Sequence, residues 1–407
     1  MKKMYGYIAS AWYNILRSKA YALLYIISTA VAFVFITIIV EFFHVVKSDA
    51  PPFVNGSRAI HLCDFKDING KKIRGFNAEE ASLFAANVDG IESYAVSDMQ
   101  YMNAWLNSRF TSFMASFVNG EYWSVNKFTF TEGRAFTAQE NESKKAVAVI
   151  KESAAKRHFK SKNIIGQKVE FQKREYTIIG VVADYSSLAN SSYENLWLPE
   201  KFNTFASSGR GYYDLYLLFP KNAPLASAKQ RVANALNVYF SGQGKEVAFT
   251  PEKIHTVQEE KLQTFGGVLS YGIPVAILLL LLIPALNAIN LNAENVSNRA
   301  AEVAIRRAMG GSLLASFTQL MVESLMLALL GAAVGILFAN PVANFIARLL
   351  FGDGLFTGFS FISGLSITPI VGVMLPLLLL FALLSGGIPA YLTSKKSIAT
   401  ILGGGAK

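Results

Sequence analysis

The sequence predicts an α-helical membrane protein of four transmembrane helices, with an α+β extracytoplasmic domain inserted between the first and second spans. Three observations predict it. Four apolar stretches, Tyr21–Phe43, Val268–Leu291, Leu313–Ala339 and Ile367–Ala390, each exceed the roughly 20 residues that a ~30 Å hydrocarbon layer demands of an α-helix. A polar insert of about 220 residues, large enough to bury its own core, separates the first stretch from the second. The chain of 407 residues is 52% hydrophobic and 16% charged, and its apolar residues gather in blocks, unlike the spread of a soluble enzyme.

Residues 1–20 open the chain with Tyr5, Ile8, Trp12, Ile15 and Leu16 near a 3.6-residue period and Lys2, Lys3 and Arg17 elsewhere. This pattern predicts an interfacial helix on the cytoplasmic leaflet, or the lead-in to the first span. The first span, residues 21–43, is too long for a usual signal peptide core. The best cleavage triplet after it, Ser48-Asp49-Ala50, runs into Pro51-Pro52, so the span is read as a retained helix.

The insert, residues 44–265, mixes strand and helix. Ala146–Ile150, Tyr176–Val182 and Leu215–Phe219 are rich in β-branched and aromatic residues and are bounded by turn formers, as strands are. Ala78–Ala86, Glu152–Phe159 and Ala226–Phe240 read as helices; in the last, Val232, Leu236 and Tyr239 share a face. Because the insert leaves and re-enters the membrane at one place, residues 44–119 and 221–265 are expected to form a base and 120–220 a distal lobe. A second span (266–291), a cytoplasmic segment (292–312), a third span (313–339), a periplasmic loop (340–366), a fourth span (367–391) and a cytoplasmic tail (392–407) complete the order.

Net charge of +10 raises nucleic acid as a partner, but the positive residues form no single patch. Lys2, Lys3, Arg17 and Lys19 precede the first span without an acid, and Lys395, Lys396 and Lys407 follow the fourth. Arg299, Arg306 and Arg307 lie between the second and third spans. Cations flanking spans on one side encode orientation, with both termini cytoplasmic and the insert outside. No nucleic-acid partner is expected.

Chemistry is sparse. The single cysteine, Cys63, allows no intramolecular disulfide. His44, His61, His158 and His255 show neither H-x-x-x-H nor any companion C-x-x-C, so no metal site is expected. No G-x-S-x-G elbow is present. The near approaches to a phosphate-cradling loop, Asn69-Gly70-Lys71-Lys72 and Gly242-Gln243-Gly244-Lys245-Glu246, both fail that pattern. Neither catalysis nor a cofactor is expected of this chain, and ATP would be hydrolysed on a partner subunit.

Four intramembrane or membrane-flanking features stand out. Glu302 and Arg306 form a favourable i, i+4 pair, Arg306 and Arg307 suit a helix C-terminus, and Gly310-Gly311 end that helix. Ala301, Ile305 and Ala308 give it a small apolar face, which fits either docking into a cleft or a connector anchored by arginine to lipid phosphates. Glu323 lies roughly 14 Å into the third span by helical rise and must be paired, protonated or snorkelled; a functional role and a helix-to-helix hydrogen bond both remain open. Gly331 and Gly335 form a G-x-x-x-G that permits close helix approach within the chain or between copies. Pro274, Pro284, Pro369, Pro376 and Pro389 are candidate kinks or hinges.

The run Ala301-Glu302-Val303-Ala304-Ile305-Arg306-Arg307-Ala308-Met309-Gly310-Gly311-Ser312 resembles a hallmark of MacB/FtsX-like ABC transporter permeases, and the likeness continues through Glu323 and Gly331–Gly335. Asn119-Gly120-Glu121-Tyr122-Trp123, Gly133-Arg134-Ala135-Phe136, Ala146–Glu152, Ile165-Gly166-Gln167-Lys168-Val169 and Tyr176–Asp184 resemble the family's periplasmic core. Ala300-Ala301 and Ala304 depart from its commonest residues, leaving open which basic side chain meets the partner.

The resemblance implies a four-span permease in a bacterial inner membrane, paired with a second copy or a paralogue and driven by a separate ABC ATPase subunit. Glu302, Ile305, Arg306, Arg307 and Gly310 are the implied ATPase contact. ATP-driven motion would be transmitted to the periplasmic domain to expel a drug, peptide or lipid-linked cargo. The alternatives are an FtsX-like signalling scaffold that activates a cell-wall hydrolase, and a lipoprotein-release component. Membrane lipids, and a periplasmic adaptor or hydrolase, complete the expected partners.

Overall fold

The computed structural model describes residues 2–106, 109–159, 163–187, 194–204, 212–298, 312–351, 361, 364–389 and 391. The chain forms two compact units: Met1–Phe43 with Gly267–Ala343 and Gly364–Lys407, and His44–Gly266 with Asn344–Ser363.

Helix α1 (Lys2–Arg17) exposes Tyr5, Ile8, Trp12, Tyr13 and Leu16 and buries Ala11, Asn14 and Ile15. Ile15 thus leaves the expected apolar stripe and turns inward. The helical path continues through Ser18, whose amide donates to Asn14 O at 3.0 Å and whose carbonyl accepts from Ala22 N at 3.0 Å. It enters α2 (Lys19–Lys47), the first apolar helix. There Thr29 and Thr37 donate to the carbonyls of Tyr25 and Phe33 at 2.8 and 2.6 Å, so neither hydroxyl needs a partner outside its own helix.

The inserted domain is built on one mixed sheet. In chain order its elements are β1 (Ala59–Leu62), α3 (Ala78–Ala86), β2 (Ser93–Leu106), β3 (Arg109–Val118), α4 (Tyr122–Val125), β4 (Phe130–Gly133), α5 (Ala138–Glu142), β5 (Val147–Lys151) and α6 (Glu152–His158). Then come β6 (Lys168–Phe171), β7 (Arg174–Val182), β8 (Leu196–Pro199), β9 (Asp214–Leu218), α7 (Leu225–Gly242) and β10 (His255–Thr256). The strand order is β10-β1-β9-β2-β3-β8-β5-β7-β4, with β6 beside β2 and β7. Pairing is antiparallel except for β3 with β8 and β5 with β7.

Strand alternation sends neighbouring side chains to opposite faces. Ile60, Val96, Ala148, Ile150, Leu196 and Leu198 join one core, which Phe76, Phe84, Val232, Leu236 and Phe240 complete from the α3 and α7 side. Ala59, Ala95, Val147, Val149, Trp197 and Leu218 join the other, with Tyr122, Phe136 and Tyr185. β5, β8 and β9 are buried on both faces, so these strands read as apolar runs. Capping boxes start α3 (Asn77 with Glu80) and α5 (Thr137 with Glu140), each cap stabilising its short helix by about 1 kcal/mol.

The expected division into base and distal lobe is not what forms. β9, from the expected lobe, lies between β1 and β2 of the expected base, so one sheet joins the two. The reason is in the strand: Leu215, Tyr216, Leu217 and Leu218 are all buried, and a strand buried on both faces and paired on both edges belongs in the middle of a sheet.

After β10 the chain becomes helical at once. Helix α8 (Val257–Gly267), a π-helical turn (Val268–Gly272) and α9 (Ile273–Asn298) follow without an intervening loop, so this helix starts earlier than the expected second span. Helix α10 (Leu313–Phe351) passes through Pro341 and beyond the expected end of the third span at Ala339. Helix α11 (Ile367–Ala382) ends in a π-helical turn, Leu383–Gly387. Among the described residues, four helices are long and apolar enough to cross a membrane. Tyr25, Phe33, Ala285, Leu327, Ala328, Met374 and Phe381 meet in their common core.

Candidate functional site

Polar side chains buried among the apolar helices are costly unless they bond to one another. Here they do. Glu323, 3% exposed, accepts from Asn14 Nδ2 at 3.3 Å, and Gln319 Nε2 donates to Ser10 Oγ at 2.9 Å. Since Asn14 and Ser10 belong to α1 and Gln319 and Glu323 to α10, the polar side of the amphipathic helix is held against the third apolar helix. Glu323 thus makes a helix-to-helix hydrogen bond.

A second polar group lies in the same bundle. Asn292 Nδ2 donates to Ser385 O at 2.6 Å and to Ser324 Oγ at 3.3 Å, and Asn292 Oδ1 accepts from the Tyr21 hydroxyl. The Tyr25 hydroxyl lies 2.6 Å from Ser385 Oγ. Together these residues link α2, α9, α10 and the π-helical turn after α11. Glu41, 1% exposed near the end of α2, accepts from Ser366 N at 2.5 Å. Ser366 is the N-cap of α11, where free amides and the positive end of the helix dipole favour a carboxylate.

Gly331 and Gly335 face α2. A Cβ at Gly331 would lie 2.6 Å from Thr29 Cβ, and one at Gly335 would lie 2.8 Å from both Ala30 O and Phe33 Cβ. The G-x-x-x-G therefore serves a contact within the chain. The implied coupling residues Glu302, Ile305, Arg306, Arg307 and Gly310 lie outside the described residues.

In the sheet domain, the motif residues prove to be architectural. Gly120 admits no side chain, because a Cβ would meet Ala138 backbone atoms at 2.3 Å. Gly133 has φ +65°, and its Cβ would reach Ile179 O at 2.1 Å. Arg134 makes a forked pair with Glu140 at 2.7 and 2.8 Å, and Lys145 joins at 2.9 Å. The Arg134 guanidinium beside Glu140 holds that carboxyl well below the usual range. Trp123 stacks edge-on against Phe136 and lies among Phe128 and Trp197.

Lys151, at the end of β5, is 1% exposed. Its ammonium sits 4.1 Å from the Tyr185 ring centroid, and burial pulls its pKa down from 10.5 to about 8 against the pull of Asp184 and Glu194. On β1, far from β5 in the strand order, the His61 ring stacks on Tyr216 at 4.6 Å and 8°. Nδ1 of His61 lies 2.5 Å from Glu260 Oε2, and Nε2 lies 3.9 Å from Asp214 Oδ1. Burial acts to lower the pKa of this imidazole, but the Asp214 and Glu260 carboxylates together raise it well above its ordinary value. Donor atoms of His61, Cys63 and Asp214 all lie within 4.8 Å of one another. Spacing along the chain does not show this group, because Asp214 comes beside His61 and Cys63 only through the pairing of β1 with β9.

Sequence reading singled out Glu323 but missed Glu41, Asn14, Asn292, Ser385 and Lys151. Glu41, Asn14 and Ser385 carry a visible signal, a polar residue inside an apolar run, whereas Lys151 ends its run and Asn292 is one of several asparagines. What the sequence lacks is the partner, which comes from another helix or strand far along the chain.

Two families match the chain: the MacB-like periplasmic core domain over residues 22–235 and the FtsX-like permease C-terminal region over residues 274–398. The chain is similar to the macrolide export ATP-binding/permease protein MacB of Mannheimia succiniciproducens, at 26% identity over 66% of this chain and 41% of that protein. It is similar to the uncharacterized ABC transporter permease YknZ of Bacillus subtilis, at 24% identity over 64% of this chain and 66% of that protein. These matches span less than half of MacB and just under two thirds of YknZ. Among solved structures, the periplasmic region of MacB from Actinobacillus actinomycetemcomitans gives a TM-score of 0.41 at 20% identity, covering 52% of this chain and 94% of that one. The extracellular domain of YknZ gives 0.39 at 19%, covering 47% and 97%.

Proposed function

Because the chain belongs to the family of MacB-like and FtsX-like ABC transporter permeases, we propose that it transmits ATP-driven motion from an ATPase subunit to its sheet domain. In this reading the protein lies in a bacterial inner membrane with both termini cytoplasmic and the sheet domain periplasmic. It works as a dimer of permeases to export a drug, peptide or lipid-linked cargo. Glu302, Ile305, Arg306, Arg307 and Gly310 take the push from the ATPase.

The observation that supports this reading best is the pairing of β1 with β10. The chain reaches β1 from the first apolar helix and leaves β10 directly into α8 and the second, and Ile60 and His61 pair with Thr256 and His255. A change in separation of the two helices would be delivered to one pair of hydrogen-bonded strands, and through β9 to the whole sheet. The bundle's buried polar groups support it too. Among the described residues, Tyr21, Tyr25, Asn292, Ser324 and Ser385 bond to each other, so they are spent on packing and are poorly placed to line a polar route for cargo.

The test is affinity purification of the full chain from its native membrane, comparing wild type with Glu302→Lys plus Arg306→Glu. An ABC ATPase subunit should accompany the wild type and be lost from the folded variant. If no ATPase accompanies the wild type under gentle extraction, energy transduction is the wrong reading.

A further inference from the structure

We propose that His61, Cys63 and Asp214 form a binding site for a borderline-soft divalent cation of the Zn²⁺ class, with Glu260 orienting the histidine. Glu260 accepts from Nδ1 at 2.5 Å, which places that ring proton and makes Nε2 the ring atom that can carry either a second proton or a metal ion. Nε2 is buried without a hydrogen-bond partner, and it looks toward the Asp214 carboxylate at 3.9 Å. The space between Nε2 and that carboxylate suits a cation, either the second ring proton or a metal ion that displaces it on binding. The ring cannot turn away, because it is stacked on Tyr216 and tied to Glu260.

Which cation fits follows from the third group. The donor atoms of His61, Cys63 and Asp214 lie within 4.8 Å of one another, and ligands of a tetrahedral Zn²⁺ at ~2.0–2.3 Å stand roughly 3.5 Å apart. A contraction of about 1 Å closes the set, and the mobile members can supply it: Cys63 is exposed and the Asp214 side chain is 43% exposed, whereas His61 is held. Thiolate, imidazole and one carboxylate form a set for Zn²⁺, whereas Ca²⁺ and Mg²⁺ require mostly oxygen ligands. The carboxylate on the far ring nitrogen is the usual partner of a zinc-bound histidine. Three protein ligands leave a fourth position for water. An occupied site would clasp β1 to β9 and, through Glu260, to α8.

The experiment uses the full chain in detergent, stripped with a chelator and titrated near neutral pH with Zn²⁺ alone, then with Co²⁺ as a spectroscopic probe. The expected result is about one equivalent of Zn²⁺ per chain. Co²⁺ should give a near-ultraviolet thiolate-to-metal band with the strong visible bands of four-coordination. Cys63→Ser should abolish the thiolate band and weaken Zn²⁺ at least tenfold, and Asp214→Asn should weaken it similarly. Glu260→Gln should weaken it by roughly 10-fold, while Asp64→Asn, next to the group but outside it, should bind as wild type. Cys63 is exposed, so the unfolding temperature of metal-free Cys63→Ser should match wild type, separating lost ligation from lost fold. Absence of stoichiometric Zn²⁺ binding, or Cys63→Ser and Asp214→Asn both binding as wild type, overturns the proposal; proton occupancy alone, or an adventitious surface site, is then what remains.

Discussion

Replacing Gly331 or Gly335 by alanine adds one carbon where α10 approaches α2, and the geometry fixes what it meets. At Gly331 the new Cβ would sit 2.6 Å from Thr29 Cβ, 2.9 Å from Thr29 Cγ2 and 3.1 Å from Ile26 O. At Gly335 the neighbours are Ala30 O at 2.8 Å, Phe33 Cβ at 2.8 Å and Val34 N at 3.0 Å. Carbon atoms rest at about 3.5–4.0 Å, so the helices must part by up to about 1 Å, and a gap of that size forfeits a quarter to a half of each contact's dispersion energy. Overpacking of this kind costs about 1–3 kcal/mol. Both alanines together should cost less than the sum, since one displacement relieves both clashes.

Gly372→Ala is the control: nothing lies within 4 Å of its Cβ, so it should be neutral or stabilise by up to about 1 kcal/mol through helix propensity. Thr29→Gly should partly rescue Gly331→Ala, by removing its two closest neighbours, and should not rescue Gly335→Ala. Thermal or denaturant unfolding of the full chain in detergent reads all of these. Three alanine variants of equal stability would refute the packing argument. A changed oligomeric state without a change in unfolding would place the glycines between copies.

Further outcomes follow from the buried charges. Lys151→Met should stabilise the protein near neutral pH by up to roughly 3 kcal/mol, because below about pH 8 the folded state holds a buried ammonium at full cost. The folded pKa is depressed, so the unfolded chain binds more protons between about 8 and 10.5. Wild-type stability therefore gains on the variant as pH rises through that window, and denaturation curves at a series of pH values check it. Glu41→Ala removes the carboxylate that meets Ser366 N and should cost about 1 kcal/mol, with faster hydrogen exchange in the first turn of α11. Asn292→Leu removes the donor to Ser385 O and Ser324 Oγ and the acceptor of Tyr21. It should destabilise by about 1–3 kcal/mol, read in the same unfolding assay.

Apolar run length made the four membrane-crossing helices legible, because hydrocarbon thickness sets a length that few soluble segments reach. Ala78–Ala86 was legible to the residue, since Asn77 and Glu80 mark its start in the sequence itself. The strands Val147–Lys151, Arg174–Val182 and Asp214–Leu218 were visible as apolar runs. Their order in the sheet was not, because pairing of β9 with β1 and β2 joins residues more than a hundred positions apart and leaves no local mark. The group at His61 failed to show for that reason: Asp214 and Glu260 reach it only through the fold. The second and third apolar helices extend beyond the expected spans because polarity changes where a helix leaves the apolar layer, while the backbone helix continues through Val257–Gly267 and past Pro341.

The amphipathic helix allows a sharper test of how the chain meets lipid. Ser10 and Asn14 of α1 are bonded to Gln319 and Glu323, whereas Tyr5 is 76%, Ile8 45%, Trp12 49% and Leu16 51% exposed. An apolar face exposed opposite a polar face that is already engaged needs a nonaqueous neighbour, and a bilayer interface supplies one to a helix of this length. The one cysteine is replaced first, by Cys63→Ser, and a nitroxide is then placed at Ile8→Cys or, for comparison, at Lys66→Cys in the sheet domain. In vesicles the label at position 8 should collide more often with oxygen than with a water-soluble nickel chelate, and the label at position 66 should do the reverse. Equal access of the chelate to both positions would mean that α1 stands in water, and that its exposed face awaits a protein instead of lipid.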